Sequence, residues 1–391
     1  MDDWWVMLPD APAAAAVAER QRGEGVRRVP HASGRPWLVG RWDARQEVTA
    51  RAGEARIVVL GRSTAQAGTL RRRIERVRLP AEAERAVTGL AGSCHVPASV
   101  GGRVWARGAA SAVCRVFTTH IDAVPVAAGR ADVLAALSGA DPDPGALAVR
   151  LLHPPVASTV LADRTFWHDV RAVPAHEASV RERDGRRGPR VRWWRPPEPH
   201  LSLTEAAAEV GTALTDAVGT CTAGGGTVSA SVHCALQQVR EGGNTIGVLN
   251  QTPAGPDMAL PYTDDAVGTA ALSVRPLEAV RPGTYKPLLG AALAGLVPAH
   301  LLARPDKGPY DADFYHGLRR HRGELLALTE DPLLAEAGLI DTERLRRALR
   351  HHAAAAELDP LLHTLGCEVW LRSLDGGSPA PVPYPPARRA R

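Results

Sequence analysis

The chain has 391 residues, 45% of them hydrophobic and 23% charged, with 47 basic against 42 acidic side chains and a formal charge of +5. This balance places it among globular proteins, and no apolar run approaches the roughly 20 residues that a membrane-spanning helix needs; two domains are the natural expectation for the length. The basic excess is arginine spread along an Ala/Arg/Gly/Pro-rich sequence. Its densest cluster (Arg71, Arg72, Arg73, Arg76, Arg78) is interrupted by Ile74 and Val77 at helical spacing, which reads as a solvated helix face and not as a nucleic-acid surface, since aromatic side chains for base stacking are missing.

The N-terminus, Met1-Asp2-Asp3-Trp4-Trp5, is acidic where a signal peptide is basic, so a cytoplasmic address is expected. Apolar runs bounded by Gly, Pro and Asp predict strands at Trp37 to Val39, Ile57 to Leu60, Val113 to Phe117 and Val124 to Ala128. Helices are predicted at Thr69 to Val77 and Ala131 to Leu137. The polar stretch Arg181 to Arg190, turning at Asp184-Gly185, predicts a hairpin tip or strand connection before Val191-Arg192-Trp193-Trp194. Arg195-Pro196-Pro197-Glu198-Pro199 can continue neither a strand nor a helix and marks a domain boundary. Trp193 and Trp194, pointing to opposite sides, are expected to anchor that junction.

Beyond the boundary, Ser202 and Glu205 form a capping box, and Leu203, Ala206, Ala207, Val210, Leu214 and Val218 an apolar stripe, so a helix runs from Leu203 to about Val218. Thr227 to Ala230 is a short strand candidate, and Gly242 to Ala270, rich in Gly, Pro, Asn, Thr and Asp, predicts a loop or poorly ordered segment. Helices resume at Pro287 to Leu302, Asp313 to Thr329, Pro332 to Gly338, Thr342 to Ala354 and Asp359 to Leu374, and Gly376 to Arg391 is a Pro-rich tail. The domain division predicted is 1–195, 200–375 and a tail at 376–391.

Five scattered cysteines (Cys94, Cys114, Cys221, Cys234, Cys367), with no CxxC pair, indicate neither a disulfide framework nor a zinc knuckle. His233 and Cys234 are sequence neighbours that point apart. His316 with His321, and His351 with His352, lack metal-ligand spacing, so no metal site is assigned.

Several blocks stand in a fixed order: GRPWLVGRW (Gly34 to Trp42), ADVLAALSGADPD (Ala131 to Asp143), VRWWRPPEPHLSLTEAA (Val191 to Ala207), YKPLLGAALAGLVPAHLLARPDKG (Tyr285 to Gly308) and DADFYHGLRRHRGELL (Asp311 to Leu326), then GLIDTERLRRAL and LGCEVWLRSL. In these the chain resembles the asparagine synthase-like family, in particular lasso-peptide macrolactam synthetases. The resemblance implies an α/β protein: an α+β N-terminal domain like a glutamine amidotransferase, then a truncated, largely helical α/β domain like adenine-nucleotide α-hydrolases. It implies an ATP- and Mg2+-dependent ligase that activates a side-chain carboxylate of a precursor peptide for attack by the peptide's α-amine. The implied partners are that peptide and the pathway's leader peptidase or recognition proteins.

Two departures qualify this. Amidotransferases place a cysteine directly after the initiator methionine, where its freed α-amine is the base; Asp2 stands here, so glutamine hydrolysis is not expected. The family holds pyrophosphate with SGGxDS between a strand and a helix, where small residues let backbone N–H groups cradle phosphate. The corresponding place reads Ser229-Ala230-Ser231-Val232-His233-Cys234, leaving Ser229 and Ser231 as a degenerate cofactor-binding position. Asp264-Asp265 is the nearest stand-in for a magnesium-binding acidic segment. Ser229 and Tyr285 lie too close for the central βα units of a full nucleotide-binding sheet. Lys307, in Arg-Pro-Asp-Lys-Gly, matches the family's lysine beside the α-phosphate and is the candidate catalytic residue; Tyr285 and Lys286 could border the carboxylate pocket. A non-catalytic relic or precursor-binding scaffold is the alternative reading.

Overall fold

The computed structural model describes residues 3–152, 164–222, 260–280, 283–303, 311–351 and 355–374. It divides into two compact units: residues 1–141 with 167–307, and 142–166 with 308–391.

The first unit is built around two six-stranded sheets in which every paired strand is antiparallel. Its strands are β1 (Trp4–Met7), β2 (Arg27–Pro30), β3 (Pro36–Arg41), β4 (Glu47–Ala52), β5 (Ala55–Gly61), β6 (Cys94–Val100), β7 (Arg103–Arg107), β8 (Phe117–Ile121), β9 (Val124–Ala128), β10 (Arg171–Ala172), β11 (Glu177–Arg181) and β12 (Val191–Arg192). One sheet runs β10-β8-β9-β1-β3-β2, the other β12-β11-β7-β6-β5-β4.

Period-two alternation decides which face each side chain meets. Trp5 and Met7 of β1, Leu38 of β3, Val58 and Leu60 of β5, and Val104 and Ala106 of β7 share one buried cluster between the sheets, together with Trp37. The alternate residues point outward beneath helices. Ile57, Val59, Val96 and Trp105 pack under α1 (Ala67–Ile74) and α2 (Ala83–Val87) through Leu70, Ile74 and Val87. Val6, Val39 and Val126 pack under Val17 of the short helix Ala14–Glu19 and under Leu134 of α3 (Ala131–Ser138). Helix, sheet, sheet and helix therefore form four layers, each sheet buried on both faces.

The arginines of α1 behave as their spacing predicts: Arg71, Arg72 and Arg73 are exposed while Leu70 and Ile74 are buried. Arg73 additionally donates to the Ala86 and Thr88 carbonyls, tying α1 to the end of α2. The 181–190 hairpin forms as predicted, with Gly185 at φ +89° and its N–H donating to the Glu182 carbonyl. The strand expected at Val113 to Phe117 instead begins at Phe117. Residues 109–114 close on themselves through the Ala109 N–H and the Cys114 carbonyl, with Ala112 at φ +63°, so they cannot extend into a ladder.

Helix α4 (Leu203–Thr222) starts where the capping box places it: Glu205 accepts from the Ser202 N–H at 2.8 Å and from the Ser202 hydroxyl at 2.6 Å. Val210, Leu214 and Ala217 pack on Val267 and Ala270 of α5 (Asp265–Leu272) and on Ala292 of α6 (Pro287–Ala292). Helix α5 corrects the expectation of loop through Ala270; residues 242–259 of that loop lie outside the described residues, as do the strand candidate at 227–230 and the tail at 376–391. The single helix expected from Pro287 to Leu302 is broken by Gly295 at φ +82° into α6 and a short turn, Ala299–Leu302. Among the described residues after Arg192 no strand forms.

The second unit is helical. Leu345 and Leu349, one turn apart on α7 (Thr342–Arg350), pack on Leu361 and Leu365 of α8 (Ala355–Leu374), and Asp341 caps α7 by accepting from the Arg344 N–H. Leu147 of Pro144–Leu151 and Leu334 of Leu333–Glu336 join Cys367 in an adjoining cluster, where the Phe166 and Trp370 rings meet at a tilt with centroids 5.1 Å apart. The chain is thus mixed α and β, and no helix among the described residues is long and apolar enough to cross a membrane.

Candidate functional site

Among the described residues, a cluster of buried charge lies where the N-terminus of α5 meets the loops at Gly92 and Ala110. Two consecutive carboxylates form it. Asp264, 2% exposed, accepts from the Ala266 N–H at 2.8 Å, as a helix N-cap does, and with its other oxygen from the Gly92 N–H in the loop before β6. Asp265 accepts from the Ala110 N–H at 2.7 Å, in the loop after β7, and lies 3.8 Å from the Arg107 guanidinium.

Arg107, at the end of β7, is 6% exposed. Its Nε donates to Glu84 of α2 at 2.7 Å and its Nη1 to the Gly108 carbonyl at 2.8 Å, and the guanidinium stacks 4.1 Å from the Trp193 ring centroid. Trp194 turns the other way and donates to Thr269 of α5 at 3.2 Å, while Trp193 donates to the Ala175 carbonyl at 3.0 Å. Trp193 thus packs against Arg107 of the sandwich and Trp194 bonds to α5.

Burial controls the protonation of this seam. Loss of water raises the Asp265 carboxyl to about 6 despite Arg107 and the Ala110 N–H, and raises Glu84 from its ordinary value for the same reason. The neighbouring thiols are also held neutral: burial pushes Cys94 up to about 11 and pushes Cys114 up as well. Cys367, in the second unit, is raised to about 11. A thiol nucleophile needs the opposite shift, so none of these three is equipped for amide hydrolysis. Close by, His95 meets Trp5 edge-on at 5.2 Å, binds the Arg115 carbonyl at 2.9 Å and is lowered by burial to about 4, leaving a neutral ring. Trp5 itself, 4% exposed, fills the start of β1 between the sheets.

A second feature is an open groove of about 560 Å³ between α4 and α6, lined by residues including Thr204, Ala208, Thr212, Asp216, Ala291 and Leu296. Its lining contains no Lys, Arg or His to neutralise a phosphate. The N-terminus of α4, the other natural place for a phosphate, is already taken by acids: Glu278 accepts from the Leu203 N–H at 2.7 Å and Glu205 from Ser202. Among the described residues the groove therefore lacks a cation for a triphosphate.

Magnesium fares no better among the described residues. No three His, Cys, Asp or Glu side chains converge on one point, and the oxygens of Asp264 and Asp265 are committed to backbone N–H groups and Arg107. In this arrangement the pair caps α5 and ties it to the loops at Gly92 and Ala110. Ser229, Ser231 and Lys307, with Gly224 to Cys234 around the two serines, lie outside the described residues. Tyr285 is 42% exposed and stacks with Lys286, which has φ +48° just before α6. His321 pairs with Glu324 at 2.9 Å.

Sequence reasoning missed the Arg107–Glu84–Asp265 seam, although a signal for its helical half was present. Asp264 followed by Ala266, Val267, Ala270 and Ala271 has the form of an N-cap and an apolar stripe. The pairing with Arg107 spans more than a hundred positions and leaves no local trace.

No curated protein matches the chain. Among solved structures it is similar to glutamine phosphoribosylpyrophosphate (PRPP) amidotransferase from B. subtilis complexed with ADP and GMP, at 8% identity over 54% of this chain and 57% of that one, with a TM-score of 0.30. It is also similar to a structure described as the allosteric regulatory enzyme of purine biosynthesis, at 10% identity over 65% of this chain and 64% of that one, again with a TM-score of 0.30. The chain spans less than two thirds of either protein, and a likeness at this level carries no argument about activity. The family model described as asparagine synthase matches residues 254–372, a segment that contains α5, Lys307 and α7. Over residues 254–372 the chain is asparagine synthase-like.

Proposed function

We propose that the chain is an asparagine synthase-like protein of lasso-peptide biosynthesis, working in the cytoplasm on a precursor peptide. In its catalytic form it is an ATP-dependent ligase that joins an Asp or Glu side-chain carboxylate to the peptide's α-amine. The observation that carries this reading is the asparagine synthase match over 254–372, together with the Arg-Pro-Asp-Lys-Gly block inside it. ATP, with Mg2+, would supply the activation that turns a carboxylate into an acylating agent. Lys307 would place a point charge beside the oxyanion that develops when the amine attacks, and Ser229 and Ser231 mark the degenerate phosphate-binding position. The pathway's leader peptidase or recognition proteins are the partners this reading adds. In evolutionary terms the parts are 1–195, an inactive amidotransferase-like domain, 200–375, a truncated synthetase, and a tail at 376–391.

A second reading, that the chain is a relic or a precursor-binding scaffold without ATP turnover, is favoured by a specific observation. The pyrophosphate loop lacks its glycine pair and aspartate, the described lining of the groove carries Asp216 but no Lys, Arg or His, and acids already take the N–H groups at the start of α4. For this chain as it stands we favour the scaffold.

ATP–pyrophosphate exchange with and without Mg2+, in the presence of precursor peptide, separates the two. Magnesium-dependent exchange that drops at least tenfold in Lys307→Ala supports the ligase. Absence of exchange together with saturable binding of the peptide supports the scaffold, and absence of both defeats ligase and scaffold alike and leaves the relic.

A further inference from the structure

Helices α4, α5 and α6 form a layer of their own around Val210, Leu214, Val267 and Ala292. Most of the large apolar side chains that face solvent among the described residues lie on this layer or in its connections, between Val218 and Leu301. Four of them stand together. The Ser273 carbonyl accepts from the His200 and Leu201 N–H groups, and Glu278 accepts from the Leu203 N–H at 2.7 Å. These bonds gather Leu272, Leu277 and Val280 around the start of α4, where Thr204 begins one wall of the groove between α4 and α6, and Leu296 stands in the opposite wall. Leu277 is 93% exposed and Leu296 65%.

We propose that this groove, with the leucines at its mouth, is the contact face of a two-fold symmetric dimer of the chain.

Area, charge and shape favour a second copy as the occupant. The four side chains and the groove walls between them make on the order of 600 Å² of surface, the upper end for a patch left bare on a monomer and near the roughly 800 Å² that each partner gives to a standard interface. A two-fold axis sets a patch against itself, so a charged patch would meet its own charge there. Here Arg275 is paired with Glu278, Glu205 is held by the Ser202 N–H and hydroxyl, and Asp216 alone is charged among the described residues of the lining. The shape is self-complementary. On the α4 side the groove is lined by Ala208 and Gly211, and the helices approach so closely that a Cβ on Gly211 would lie 2.8 Å from the Ala292 carbonyl oxygen. One face thus carries a hollow of small residues beside a projecting Leu296. Two copies related by a two-fold axis can each place this leucine in the other's hollow.

The test is sedimentation velocity of the full chain over about 1 to 100 µM, a range in which mass action separates monomer from dimer. A monomer–dimer equilibrium that stops at two is expected. Leu277→Glu and Leu296→Glu should each weaken it tenfold or more, while Leu79→Glu, at an exposed leucine between α1 and α2, should leave it unchanged. A monomer throughout, growth beyond the dimer, or a dimer indifferent to both substitutions overturns the proposal, as does equal weakening by Leu79→Glu. Should the variants fail to fold, hydrogen exchange of the wild-type protein at the two ends of the concentration range decides: slower exchange over residues 270–280 and 288–298 in the dimer supports the face, and a dimer that leaves both unchanged overturns it. Precursor peptide bound by a monomer and lost with Leu296→Glu would give the face to the peptide, and that too overturns the dimer.

Discussion

Arg107 shows how much of this molecule's organisation rests on single buried charges. Its guanidinium stacks on Trp193, donates to Glu84 and reaches Asp265, and at 6% exposure it shares little of that work with water. Replacing it by Met preserves bulk but leaves Glu84 and Asp265 buried without their cation. The expected cost is about 3–5 kcal/mol, the range for breaking a buried ion pair from one side, read as a shift in the urea midpoint. The same variant should raise the apparent pKa of Asp265 further, because the opposite charge that favours ionisation is gone. The thiols provide a gentler test at this scale. With its pKa pushed up to about 11 by burial, the Cys94 thiol is about one part in a thousand thiolate at pH 8. Peptide mapping after brief iodoacetamide treatment should find Cys94 and Cys367 unmodified in the native protein and alkylated in denaturant, whereas rapid native labelling at either would contradict the burial assigned to it.

At the level of elements, the seam depends on a loop whose shape glycine alone allows. Gly92→Ala forces a β-carbon into the Arg62 carbonyl at a backbone angle that L-residues avoid, with an expected loss of about 1–3 kcal/mol from the strained angle alone. That loss should be accompanied by weaker protection of α5, measured by hydrogen exchange, because the Gly92 N–H is a partner of Asp264. Elements whose signal is local were legible in the sequence: the Ser202–Glu205 box starts α4, Val124 to Ala128 alternates into β9, and Asp184-Gly185 turns a hairpin. Elements whose identity is decided by distant partners were not. Helix α5 hides in a Gly- and Thr-rich stretch because Ala and Val supply only a weak stripe, and it gains its place from α4 and from the Gly92 and Ala110 loops. Similarly, Val113 to Phe117 has strand-forming residues, but the first four are drawn away by the closed 109–114 turn and by Val116, which enters the inter-sheet core. The candidate site divides the same way: tryptophan anchors beside a Pro-rich stretch could be read, and an arginine pairing with an acid on a remote helix could not.

At the scale of the whole molecule, the two compact units carry separate cores, and this predicts separable stability. The second unit is the more vulnerable to one substitution. Glu368 is fully buried on α8, where its two oxygens accept from the Leu333 and Leu334 N–H groups at 3.0 Å each and its Oε1 also takes the Arg372 Nε at 2.8 Å. One side chain thus caps the Leu333–Glu336 helix, fixes α8 against it and positions Arg372, which in turn donates to the Leu328 and Asp331 carbonyls. Glu368→Ala orphans both N–H donors, each costing about 1–3 kcal/mol when buried, and adds a cavity beside Leu334. Glu368→Gln retains one acceptor and should cost less than the alanine variant. The expected outcome is that Glu368→Ala unfolds residues 311–374 at a lower temperature while the sandwich keeps the wild-type transition. Exchange or limited proteolysis resolved by peptide would record early loss of protection across α7 and α8 with none in β5 or β6. A single transition in which β5, β6, α7 and α8 lose protection together would instead mean that the two cores unfold as one cooperative body, because a lesion confined to α8 could then reach the sandwich only through coupling between them.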